Sequence, residues 1–206
     1  MDADPDPAGQ IWLQLLLLLV LIFVNAFFAA SEIAVISLND AKIRKMAEDG
    51  HKKAQQILKL TADSSNFLAT IQIGVTLAGF LTSATAAQSL AEPLADWFIG
   101  TVPAAAGYAG AVETVSVVVI TLIMSYFSLV LGELVPKRIA MQKAESLSFA
   151  VIGVLRAVAI VTRPFVKLLS VSTNLVVRLF GLDPHADEEN VTEEEIRMMV
   201  DVGEEK

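Results

Sequence analysis

"TVSVVVITLIMSYFSLVLGELVPKRIA", Thr114 to Ala140, decides the fold. Its first part, Thr114 to Leu131, carries no charge. As a helix rising about 1.5 Å per residue it is long enough to cross roughly 30 Å of hydrocarbon. Its last part, "LVLGELVPKRIA" from Leu129 to Ala140, closes that run with Gly132-Glu133, Pro136 and Lys137-Arg138. Proline has no N–H for the carbonyl four residues back, and its ring presses on that carbonyl. Four residues before Pro136 is Gly132. The stretch therefore predicts a helix break at Pro136, with the Gly132 carbonyl freed beside the Glu133 carboxylate. Such oxygens suit a hard cation such as Mg²⁺ or Na⁺, and broken helices beside cavities recur at ion sites in transporters. A plainer reading fits the same residues: Glu133 pairs with Lys137 at i+4, and Pro136 merely ends the helix.

Working outward, the bulk composition agrees with a bilayer. The chain has 206 residues, 54% hydrophobic and 18% charged, with a mean hydropathy of +0.60. That is too apolar for an ordinary soluble domain. There is no cysteine, which excludes disulfides and thiolate metal sites. His51 and His185 both lie in polar stretches, which argues against a zinc cluster. The net charge of −8 is unevenly spread, with acidic residues at both ends and basic residues in the middle. A bilayer that sorts the loops produces such segregation.

Two further runs are long enough to span. The first, about Ile11 to Ala30, is interrupted by Gln14 and Asn25; the other runs from about Phe67 to Ala87. The start, "MDADPDPAGQ", is acidic, so the first run reads as a retained span and not as a removed signal. In the second, Gly74, Ala78, Thr82 and Ala86 recur every fourth residue, as do Gly79, Ser83 and Ala87. Small residues at that spacing let helix backbones approach closely, which predicts a central helix.

Lys and Arg orient the spans. Lys42, Arg44, Lys45, Lys52, Lys53 and Lys59 follow the first run, and Lys137, Arg138 and Lys143 follow the third. The loop after the second has none, and carries Trp97, Phe98 and Tyr108 in the manner of an aromatic interface. The expectation is an N-terminus outside and a C-terminus in the cytoplasm, with Lys137 and Arg138 anchoring the third span at the cytoplasmic side.

A fourth apolar stretch, about Leu147 to Leu182, contains Arg156, Arg163, Lys167 and Arg178. At about 100° per residue these fall in a sector of about 60°. Spanning would bury that stripe in lipid. Lying on the cytoplasmic leaflet would set it among anionic headgroups. The expected architecture is all-α, with three transmembrane helices plus one or two juxtamembrane helices kinked or split at Pro164. The alternative is a fourth span. The chain then parses as an outer tail over 1–10, a membrane domain over 11–182 and an acidic cytoplasmic helical linker over 183–206. In that linker Thr192 and Glu195 read as a capping box.

More polar groups arrive at the depth of Glu133. Ser31 and Glu32 close the first run, and Gln72 and Thr76 lie in the inner half of the second. Together they would complete a cation site. Each also has an ordinary reading: Ser31 bonding its own backbone, Glu32 pairing with cytoplasmic lysines, Gln72 gluing helices.

"NAFFAASEIAV", "TIQIGVTLAGF" and "GELVPKRIA", in that order, resemble the membrane domain of the CNNM/CorC family. The resemblance covers about residues 10 to 206. It implies a homodimer in a bacterial or archaeal-type plasma membrane, followed by cytoplasmic CBS modules that bind ATP with Mg²⁺. It implies Mg²⁺ efflux, exchanged for Na⁺, from an acidic cavity open to the cytoplasm. Carried over by position, Gly132, Glu133 and Pro136 match the third-helix motif, and Ser31 and Glu32 match the polar end of the first helix. Two positions depart from the family pattern: Ala29 stands where many members have serine, and Val75 where many have asparagine. Some relatives sharing "TIQIG-x-TLAGF" are linked to polyamine export. The readings to weigh are therefore a Mg²⁺ exporter, a polyamine exporter for putrescine-like or cadaverine-like diamines, and a membrane anchor or sensor without transport. No nucleophile–base pair, phosphate-cradling loop or nucleic-acid patch points to an enzyme or a nucleic-acid partner.

Overall fold

The computed structural model describes residues 7–182, with side chains from Ile11 onward. The expectations for residues 1–6 and for 183–206, including His185 and the Thr192–Glu195 capping box, lie outside the described residues. Every element described is helical. The α-helices are α1 (Pro7–Ile36), α2 (Asp40–Glu48), α3 (Lys52–Thr61), α4 (Ser64–Thr101), α5 (Ala109–Leu129), α6 (Val135–Gln142) and α7 (Ala144–Leu179). A 3₁₀ turn, Pro103–Tyr108, joins α4 to α5, and a π-turn, Val130–Leu134, joins α5 to α6. Four helical stretches are long and apolar enough to cross a membrane: Ile11–Ile36, Ser64–Thr101, Pro103–Gln142 and Ala144–Leu179. The chain divides into two compact units, Met1–Thr162 and Arg163–Lys206.

In the first unit, α4 packs against both α1 and α5. Gly74 explains the close approach of α1: a Cβ there would come within 2.6 Å of the Phe28 ring. The stripe continues through Ala78, Thr82 and Ala86, all buried, and Thr82 satisfies its hydroxyl by donating to the Ala78 carbonyl at 2.7 Å. Gly79, Ser83 and Ala87 are only half-buried, so one of the two small-residue stripes does the packing within the chain.

α4 runs on well past the expected end at Ala87. At about 1.5 Å per residue its 38 residues extend about 57 Å, far beyond the hydrocarbon. Pro93 sits inside it. Proline removes one hydrogen bond, yet the helix continues through it, with Ala91 and Ala95 buried on either side.

The basic segment after α1 folds as a helical hairpin. Asn39 caps α2 by accepting from the Lys42 N–H at 2.9 Å, and the His51 ring caps α3 by accepting from the Ala54 N–H at 3.2 Å. Gly50, at φ +89°, supplies the turn between them. Ile43, Ala54 and Ile57 form the apolar face of the hairpin and pack with Ile152 of α7. Beside them Val35, Phe67, Ile71 and Leu155 form a second core cluster. These contacts reach α7 through Phe149, Val151, Ile152 and Leu155. Lys42 also pairs with Glu145, and Lys53 donates to the Phe149 carbonyl at 2.8 Å.

Of the one or two helices expected after α6, α7 is a single helix, with Pro164 inside it. Arg156, Arg163, Lys167 and Arg178 are all exposed, as a solvated or headgroup-facing stripe requires.

Candidate functional site

The helix does not break at Pro136; it changes register. The Val135 N–H bonds to the Val130 carbonyl, five residues back, which makes Val130–Leu134 a π-turn. In α register that N–H would have served Leu131. In π register the donor for Leu131 would be Pro136, which has none. Leu131 thus loses both helical donors, and Gly132 loses its α-register donor, which would also have been Pro136. The proline does free a carbonyl, but the π-turn moves the complete loss to Leu131. α6 then starts with Pro136 in its first turn, the position in a helix that proline fits best.

One face of α1 lies against this turn. Asn25, Ala29 and Glu32, spaced by four and three residues, share that face. Asn25 is 4% exposed and Ala29 is fully buried. A Cβ on Gly132 would come within 2.8 Å of the Asn25 amide nitrogen, so glycine is what lets the asparagine lie on the turn. The Asn25 Oδ1 atom is buried with no hydrogen-bond partner. An unpaired buried acceptor costs about 1–3 kcal/mol, so it marks a place where stability is given up.

Two turns along α1, Glu32 meets Lys137. The Lys137 Nζ lies 3.1 Å from the Glu32 carboxylate and 3.0 Å from that of Glu133. All three side chains are partly buried, at 24–31% exposure. The i+4 pairing of Glu133 with Lys137 is therefore present, but it is half of a triad that draws a second carboxylate from another helix. Two carboxylates and one ammonium leave an excess of one negative charge at the junction of α1, the π-turn and α6.

The remaining candidates separate. Ser31 is fully buried and its Oγ has no hydrogen-bond partner, so it does not bond its own backbone. Gln72 is exposed and donates to Thr76 within α4 at 3.2 Å; no hydrogen bond among the described residues ties either to the carboxylates. Arg138 is exposed. Among the described residues there is no group of three or more His, Asp or Glu that could hold a metal. Asn25 is the residue sequence reasoning passed over. Its signal was available: an amide in the middle of an apolar span is expensive unless it serves something.

Comparison with known proteins decides the family. Residues 16–206 match the model described as the Cyclin M transmembrane N-terminal domain, CNNM. The chain belongs to the CNNM family. With its long apolar helices, this CNNM domain is a multi-pass membrane protein. It is 40% identical over 196 residues to a UPF0053 protein of Synechocystis sp., covering 95% of this chain and 43% of that one. It is 31% identical over 188 residues to the UPF0053 protein YhdT of Bacillus subtilis, covering 90% and 40%. The "Polyamine export protein" of Haemophilus influenzae is 25% identical over 189 residues, covering 92% and 42%. The CNNM chain thus spans about two fifths of the length of the curated relatives it matches.

Proposed function

We propose that this CNNM domain is the transport unit of a cation exporter, with Mg²⁺ as cargo and Na⁺ entry as the drive. The observation that carries the reading is the meeting of Glu32 and Glu133, from different helices, at one partly buried point. Carboxylates in a membrane helix are costly and are retained for ion pathways. The Leu131 and Gly132 carbonyls, Asn25 Oδ1 and Ser31 Oγ are further hard oxygen donors for a hard cation. Gln72 and Thr76 enter the ligand set only by a movement of α4. Moving one Mg²⁺ out against an inside-negative potential costs about 4.6 kcal/mol per 100 mV, at about 2.3 per charge, and a charge-balanced inflow of Na⁺ offsets it.

The topology that goes with this reading has α1, α4 and the α5–α6 stretch spanning, and α7 lying on the cytoplasmic leaflet. Support comes from the partners of α7. They belong to the basic α2–α3 hairpin and to the ends of α1 and α4 that adjoin it. The exposed stripe of Arg156, Arg163, Lys167 and Arg178 then faces headgroups. The N-terminus lies outside by the positive-inside rule, and the working unit is a homodimer. ATP enters only through CBS modules beyond this domain.

The test is flux. Proteoliposomes holding a Mg²⁺-sensitive dye and given a Na⁺ gradient should show transport by the wild type and none by Glu133→Ala. Undiminished flux in the mutant removes Glu133 from the site. A second reading, export of a diamine, is favoured by the name of the Haemophilus influenzae relative and by one contact here: the carboxylate pair already grips an ammonium, that of Lys137. Competition between putrescine and Mg²⁺ in thermal stabilisation separates the two cargoes. No stabilisation by either, with no flux, leaves an anchor or sensor.

A further inference from the structure

The triad at the candidate site has a consequence for how cargo enters it, and the inference rests on the cation-export reading above. Lys137 Nζ sits within 3.1 Å of both carboxylates, so it occupies the space between Glu32 and Glu133 that a cation bound by the pair would take. A Mg²⁺ ion placed there with Lys137 in position would meet an ammonium at contact distance. Like charges that close in a partly buried site repel strongly. Lysine is suited to leaving: its charge is a point on a flexible four-carbon stem with no fixed fork geometry. At 28% exposure its side chain has a route to solvent.

We infer that Lys137 is a tethered surrogate cation: it neutralises the Glu32–Glu133 pair when cargo is absent, is displaced when cargo binds, and returns to expel it. The state with Lys137 in place carries one excess negative charge, and the state with Lys137 withdrawn carries two. Only the second matches a divalent ion or a diamine. The tether therefore lowers cargo affinity and sets selectivity for doubly charged cations over singly charged ones. It also prevents an empty, doubly anionic pair from standing in the membrane, which would be costly in every cycle.

The test compares cation-dependent stabilisation of the purified full chain, with MgCl₂ as probe and choline chloride holding ionic strength constant. In Lys137→Met the Mg²⁺ midpoint should fall about tenfold or more, because the competitor is gone. In Lys137→Arg, whose charge is retained in a bulkier fork, the midpoint should equal or exceed that of the wild type. In Glu133→Gln, Mg²⁺ stabilisation should vanish. A lysine that only staples α1 to α6 would lower the melting temperature in Lys137→Met without moving the Mg²⁺ midpoint, and that result overturns the inference while leaving the site intact. Should Lys137→Met fail to fold, Lys137→Gln and the arginine variant carry the comparison. Unchanged Mg²⁺ stabilisation in Glu133→Gln overturns the site itself, and the tether with it. Flux gives a second readout. With the tether gone, transport at low Mg²⁺ should rise, and maximal transport should fall about tenfold because release is no longer assisted.

Discussion

Within a single turn of α1 lie two contacts of similar construction and opposite chemistry. On one side the Phe28 ring lies over Gly74 of α4; on the other the Asn25 amide lies over Gly132 of the π-turn. In both a glycine removes the Cβ that would otherwise hold the helices apart. The first contact is dry and joins the cluster of Val35, Phe67, Ile71 and Leu155. The second leaves Asn25 Oδ1 without a partner and leads along the same face of α1 to the Glu32–Lys137–Glu133 triad. Lipid is as apolar as leucine, so helix association in a bilayer depends on close packing, and the Gly74 contact supplies that. The Gly132 contact costs stability. Its retention makes sense when the unpaired oxygens have work to do in another state.

The sharpest way to break this contrast is to remove the charge. Glu133→Ala should reduce cation flux at least about a hundredfold, as expected when a ligand of the cargo is lost, while the protein remains folded in detergent. The glycines come next. Gly74→Ala should destabilise the fold by about 1–3 kcal/mol through overpacking against Phe28, measured by denaturant unfolding, with flux per folded molecule nearly intact. Gly132→Ala should do the reverse, lowering flux about tenfold or more at a smaller loss of stability, because Asn25 can move but the turn then loses its shape. Equal effects of the two alanines on stability and flux would erase the distinction between a packing contact and a working one.

Smaller effects sharpen it further. Asn25→Leu and Ser31→Ala should leave stability unchanged or raise it by about 1 kcal/mol, since each removes an unpaired buried oxygen, while transport falls. A loss of stability in both would mean that these atoms are satisfied and structural. At the far end, Lys42→Ala should cost no more than about 1 kcal/mol and leave flux untouched. Its partner Glu145 is 44% exposed, and exposed ion pairs contribute little.

Much of this was legible in the chain itself. Hydrophobic runs of sufficient length placed α1, α4 and α5, because nothing else accommodates about twenty apolar residues in succession. The fourfold spacing from Gly74 to Ala86 marked the packed face of α4. Glu133, Glu32 and Lys137 stood out as charges at the ends of apolar runs. Other features were hidden. The run of α4 through Pro93 to Thr101 was not expected, and Pro164, read as a kink or a split, lies inside one helix, because proline removes a single hydrogen bond and the rest of the ladder remains. Asn25 looked like a tolerated interruption until Gly132 was found against it.

The sequence by itself determined that this chain is a helical membrane protein with carboxylates at the ends of its apolar runs; length, hydropathy and the placement of Lys and Arg suffice, because the bilayer imposes them on every segment separately. Only the tertiary structure decided that Pro136 brings a π-turn and not a break, that Asn25 meets Gly132, and that Lys137 joins Glu133 to Glu32 across two helices. The last two are relations between residues about a hundred positions apart. Each is set by how closely two backbones can approach, a property of the pair of helices and not of either one.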